Sequence, residues 1–178
     1  MKIVLCPMDQ PSDGEGFCIG TLDGHPLIVH DRKLYASGRE YEHGAVANAY
    51  VEAVDRAASE VFGSDWVTPL ARLMQINKRS TAKDRIAKFG LPNYVLQFLA
   101  KASTYPVPRA LGYALLCVEE AQETMSVTHR APTGRPLEVD VQVRSQVVRS
   151  VVLQATDLVD NILSERAAFR MQKPLTAE

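Results

Sequence analysis

The sequence predicts an α+β fold, mostly α: a small N-terminal antiparallel β-meander, then a helical bundle, then a long C-terminal helix. Three observations carry this reading. Asp23-Gly24 stands between two short apolar runs near the N-terminus. Apolar residues recur at three- and four-residue intervals from Val46 onward. Between Val141 and Ile162, apolar residues return every seven positions.

Residues 1–42 form the meander. Phe17–Leu22 and Pro26–His30 are apolar and β-branched, and Asp-Gly suits the two-residue hairpin turn between them because both central residues of such a turn take positive φ. A second turn at Asp31-Arg32 leads into Lys33–Ala36, and Met1–Cys6 is placed to add a further strand. Pro7–Gly16, with its Pro, Ser, Asp and Gly, is a loop.

Residues 43–104 form the bundle. Val46, Tyr50, Val54, Ala57 and Val61 draw one apolar stripe along a helix over 44–62, and Gly63 stops it. Thr68-Pro69 supplies a cap followed by proline at the first helical position, opening a short helix over 70–75. Asn77 caps a helix over 78–89, which Gly90 closes. Pro92 opens another through about residue 102, with Val95, Phe98 and Leu99 inward. Residues 105–178 hold the remaining helices. One runs over 109–126 with Leu111, Leu115 and Val118 on its buried side. After the loop Ala131–Pro136 the chain is ambiguous: Val139, Val141 and Val143 alternate like a strand, whereas Val141, Val148, Ala155 and Ile162 form heptads. The heptad pattern extends further and predicts one helix over about 138–168. Its stripe of Val148, Val151, Val152, Ala155, Leu158, Val159 and Ile162 is either core or the seam of a homodimer.

With 178 residues, 46% hydrophobic and 23% charged, the chain can build one sizeable core or two small ones. No apolar run approaches the ~20 residues that span a bilayer, and Met1–Pro7 is shorter than a signal-peptide core. The expectation is a cytoplasmic protein with no membrane segment. Cys6, Cys18 and Cys117 are odd in number and far apart, which predicts unbridged, mostly buried thiols. Eleven residues between Cys6 and Cys18 do not make a zinc knuckle, so no metal or other cofactor is expected. Glu119, Glu120 and Glu123 lack the Glu-x-x-His spacing of a dinuclear site. There is no P-loop, Gly-x-Ser-x-Gly or dinucleotide fingerprint, and a catalytic role is not expected.

Charge is distributed unevenly. Residues 1–69 carry net −6, residues 70–90 net +5 and residues 91–178 net 0. A basic stretch inside an acidic chain points to a local anion-binding surface. At 100° per residue, Ala82, Ile86 and Phe89 share one side of the 78–89 helix and face the core. Asn77, Ser80, Thr81, Lys83, Asp84, Ala87 and Lys88 occupy the opposite side, with Arg79 and Arg85 on the flanks.

The segment Trp66–Thr81 resembles the helix-turn-helix of phage-type repressors. Leu70-Ala71 and Leu73 stand in the first helix, Gln75-Ile76-Asn77 in the turn (Gln75 where those proteins usually have Gly), and 78–89 in the recognition helix. The resemblance covers about residues 65–103. It implies a sequence-specific DNA-binding regulator of transcription whose partner is duplex DNA. Arg79 and Arg85 would grip phosphate with help from Arg72 and Lys78, while Ser80, Thr81, Lys83, Asp84 and Lys88 would face base edges. Such proteins commonly read two half-sites as dimers. The competing expectation is a non-catalytic inhibitor or adaptor that binds another macromolecule through the acidic N-terminal region or the basic helix.

Overall fold

A computed structural model of the chain describes residues 1–9, 16–30, 33–124 and 138–172. The expected turn at Asp31-Arg32, the loop Ala131–Pro136, most of the loop before Phe17 and the C-terminal tail lie outside the described residues. The architecture is α+β and mostly α. Five strands, β1 (Ile3–Leu5), β2 (Phe17–Leu22), β3 (His25–His30), β4 (Lys33–Ala36) and β5 (Arg39–Tyr41), form one antiparallel sheet in sequence order. Six helices follow among the described residues: α1 (His43–Phe62), α2 (Val67–Leu73), α3 (Lys83–Phe89), α4 (Asn93–Ser103), α5 (Pro108–Thr124) and α6 (Glu138–Gln172), with a 3-10 turn at Lys78–Thr81.

The meander follows from its turns. Asp23 and Gly24 both take positive φ, 48° and 86°, the geometry whose twist matches that of the flanking strands. Ser37-Gly38 repeats it at 50° and 73° and adds β5, a strand within 1–42 that the sequence reading did not resolve. Burial alternates along β1, β3 and β4, placing Ile3, Leu5, Leu27, Val29, Leu34 and Ala36 on one face. In β2 the alternation fails. A bulge between Cys18 and Gly20 buries Cys18, Ile19 and Gly20 in succession.

Helices α1 and α4 pack on that sheet. All five residues of the stripe read from the sequence, Val46, Tyr50, Val54, Ala57 and Val61, are buried, and Gly63 ends α1 at φ 93° with its N–H donating to the Ser59 carbonyl. Sheet residues, α1, Trp66, Leu70, Ile86 and α4 share a single core. The expected division between residues 42 and 43 is therefore not a boundary between cores. The chain forms two compact units, Met1–Leu116 and Cys117–Glu178, so the break falls inside α5 instead of near residue 104. Within the first unit, Gly112 of α5 lies so close to the Val61 carbonyl that no side chain fits between them, and Arg109 donates to the Ser59 carbonyl at 2.6 Å. In the second unit residues 138–172 are one helix, which decides the ambiguity over Val139–Val143 in favour of the heptad pattern. None of the three cysteines is in a disulfide. Only Cys18 is fully buried, while Cys6 and Cys117 are half-buried. Burial pushes the Cys6 thiol up from its ordinary value, and the neighbouring Cys18 adds to the shift. No helix of the described residues is long and apolar enough to cross a membrane.

Candidate nucleic-acid interface

The region that resembles a helix-turn-helix begins one turn earlier than its sequence suggests. α2 starts at Val67 and Trp66 holds the cap position, with the Trp66 carbonyl accepting from Leu70 N–H. Thr68 sits inside the helix and does not cap it. The turn after α2 is a Schellman closure. Ile76 N–H donates to the Ala71 carbonyl and Gln75 N–H to the Arg72 carbonyl, each at 3.0 Å. This places Gln75 at φ 53°, the left-handed region that glycine occupies without penalty. A side chain there costs about 1 kcal/mol. Gln75→Gly is accordingly expected to raise stability by roughly 0.5–1 kcal/mol, seen as a higher urea midpoint at unchanged slope. An unchanged or lower midpoint would show that Gln75 is not strained.

The expected recognition helix over 78–89 is broken in two. Asn77 caps as anticipated, its Oδ1 accepting from Arg79 N–H at 2.8 Å, but it caps only the 3-10 turn. Ala82 is extended, at φ −70° and ψ 139°, and serves as the cap of α3. Thr81 accounts for the break. Its hydroxyl lies 2.7 Å from the Lys78 carbonyl and 3.3 Å from the Val67 carbonyl, so it closes the turn on itself and ties it to the start of α2. Hydroxyl side chains compete with helix continuation in this way. Thr81 is 0% exposed, and its expected place on a base-facing surface is corrected: no ligand reaches it.

The other face also differs from the expectation. Ile86 is buried, but Ala82 is only half-buried and Phe89 is 46% exposed. With α3 restarting at Lys83, the helix is seven residues long and packs on α1 mainly through Ile86. Phe89 emerges at its end, where the Arg85 guanidinium lies 4.6 Å and the Lys88 ammonium 5.2 Å from its ring centre. Phe89, Arg85, Ser80, Ile76, Gly90, Leu91 and Pro92 line an open cleft of about 310 Å³.

Arg72, Lys78, Arg79, Ser80, Asp84 and Lys88 are exposed and Arg85 half-buried. Lys83 is also exposed but committed inward. Its ammonium is 3.0 Å from Asp55 Oδ1, and the same oxygen accepts from Trp66 Nε1 at 2.8 Å. Partial burial works against ionisation of Asp55, but the hydrogen bonds from Lys83 and Trp66, with the Lys83 charge, hold its carboxyl below the ordinary range. Asp84 lies in the first turn of α3, where a negative charge suits the helix dipole.

α1 anchors this surface from behind at three points. Besides Asp55, His43 Nε2 lies 3.3 Å from the Ile86 carbonyl, and the His43 ring meets Tyr50 edge-on at 5.0 Å. The Tyr50 hydroxyl accepts from Leu91 N–H at 3.2 Å. Burial pushes the Tyr50 phenol well above its ordinary value, only partly opposed by that hydrogen bond. The sequence reading missed Asp55 and Tyr50 in these roles. Nothing local singles out Asp55 among the acids of α1, Glu52, Asp55 and Glu60, because its partners Trp66 and Lys83 lie 11 and 28 residues away.

No protein-family model, curated protein or solved structure matches the chain.

Proposed function

We propose that this chain is a DNA-binding regulator that holds duplex DNA against the surface formed by α2, the 3-10 turn and α3. One observation carries the reading: six cations and a single acid fall within residues 70–90, and five of those cations are exposed side chains on one small, braced region. Lys78 and Arg79 project from the 3-10 turn and Arg72 from the end of α2, positions suited to phosphates on either side of a groove. Arg85 lines the cleft, and Lys88 lies over the ring of Phe89 at its border. The base-facing set narrows to Ser80, Asp84 and Lys88, because Thr81 is enclosed and Lys83 braces Asp55. Asp84 is able to accept from a cytosine amino group.

The test is a gel shift with duplex DNA at ~50 and ~200 mM salt. Binding is expected to weaken steeply over that range, since each phosphate contact releases counterions. Lys78→Glu/Arg79→Glu is expected to cost at least about 100-fold at low salt and to flatten the salt slope by about 2. A wild-type chain that fails to shift duplex at low salt sinks the reading, as does a double variant that binds normally. In that event the exposed Phe89 and the cleft it borders favour the alternative, an adaptor that takes an acidic protein segment on the same surface.

A further inference from the structure

The cleft beside Phe89 combines apolar walls with a positive charge. Ile76, Leu91, Pro92 and the Phe89 ring supply the walls, and Ser80 and Arg85 are the polar side chains. Among the described residues that line it, Arg85 carries the only charge. Its volume of about 310 Å³ lies at the lower end for small-molecule sites, which run from ~300 to ~1,000 Å³. Its backbone is held in place before any ligand arrives. Leu91 N–H donates to the Tyr50 hydroxyl, Ile76 N–H to the Ala71 carbonyl and Gly90 N–H to the Ile86 carbonyl. Walls braced in this way need little ordering when a ligand enters.

Arg85 decides which ligand suits the cleft. Its guanidinium lies 4.6 Å from the centre of the Phe89 ring, a contact that holds the cation without neutralising it. Lys88, 5.2 Å from the same ring centre, adds a second positive charge at the border. An inorganic anion meets these charges but gains nothing from the apolar walls. A neutral apolar molecule covers the walls but takes water from the guanidinium and returns no partner. A flat aromatic body ending in a carboxylate satisfies both, with its ring against Phe89 and its oxygens accepting from the N–H groups of Arg85. We propose that the cleft binds a small aromatic carboxylate, with the carboxylate on Arg85 and the ring against Phe89, Ile76 and Leu91. The site does not rest on DNA binding.

Titration of the full chain with 1-naphthoate, followed through its backbone amide resonances, tests the proposal. Saturable shifts are expected at Ser80, Arg85, Phe89, Gly90 and Leu91, with a dissociation constant of about 1 mM or below. 1-Naphthamide lacks the charge and acetate lacks the ring, and each is expected to bind at least about 10-fold more weakly. Arg85→Gln is expected to weaken 1-naphthoate at least about 10-fold and to leave 1-naphthamide within about twofold, which separates loss of the charge from damage to the cleft. Three outcomes overturn the proposal. One is the absence of saturable shifts at the cleft up to about 10 mM 1-naphthoate. Another is an Arg85→Gln variant that keeps the wild-type preference for 1-naphthoate over 1-naphthamide. The third is acetate binding as tightly as 1-naphthoate, which would leave only a bare anion site.

Discussion

Gly20→Ala is expected to cost about 3 kcal/mol or more and to release β1 from the sheet. Gly20 sits at the bulge of β2 with φ 146°, and a β-carbon there would press into the Val4 carbonyl and reach within 3.0 Å of the Cys6 nitrogen. Both neighbours are backbone and neither swings aside. Moving β1 away relieves the clash at the expense of uncovering Ile3 and Leu5, both buried. Chemical denaturation is expected to show a lower midpoint, and hydrogen exchange is expected to be accelerated first at the β1–β2 pairing. Wild-type stability with β1 amides still protected would contradict this account of the bulge.

Asp55→Ala is expected to cost about 1–3 kcal/mol, because it strands the indole N–H of Trp66, a residue only 1% exposed. Asp55→Asn keeps an oxygen for the indole and loses only the half-exposed ion pair with Lys83, so it is expected to cost under about 1 kcal/mol. The two variants also differ from wild type in pH dependence. The folded carboxyl titrates below its unfolded value. Its stabilisation is therefore complete above roughly pH 5 and is lost as pH falls through about 4 and below. The gap between wild type and Asp55→Asn is expected to close on acidification. A gap that stays constant from pH 7 to pH 3 would mean that the carboxylate charge contributes nothing.

Much of this was legible in the residues themselves, for identifiable reasons. Local chemistry determines the Asp23-Gly24 turn and the end of α1 at Gly63, and both appear where the pattern places them. Long periodicity is equally legible: the α1 stripe and the α6 heptads extend over enough turns to outweigh single residues. The break at Ala82 was not, because it depends on one hydroxyl. By pattern Thr81 belongs to the polar side of a continuous helix, and only its hydrogen bonds to Lys78 and Val67 reveal the turn. Nor was the exposure of Phe89, which by pattern shares the side of buried Ile86 three residues earlier yet emerges as the last residue of α3. Among the candidate cations the sequence displays charge but not partners. Lys78, Arg79 and Lys88 and the inward-committed Lys83 look alike until Asp55, 28 positions earlier, is placed beside one of them.

The order of the sheet bears on how the chain finds its fold. Every strand pairs only with its sequence neighbours, from β1 through β5, and four of the five are joined by connections of two residues. The three hairpins from β2 to β5 each close a two-residue loop, an event of microseconds, and β1 joins β2 across residues 6–16. The docking of α1 and α4 onto the sheet is expected to be the slower step, because those contacts span the greater sequence distances.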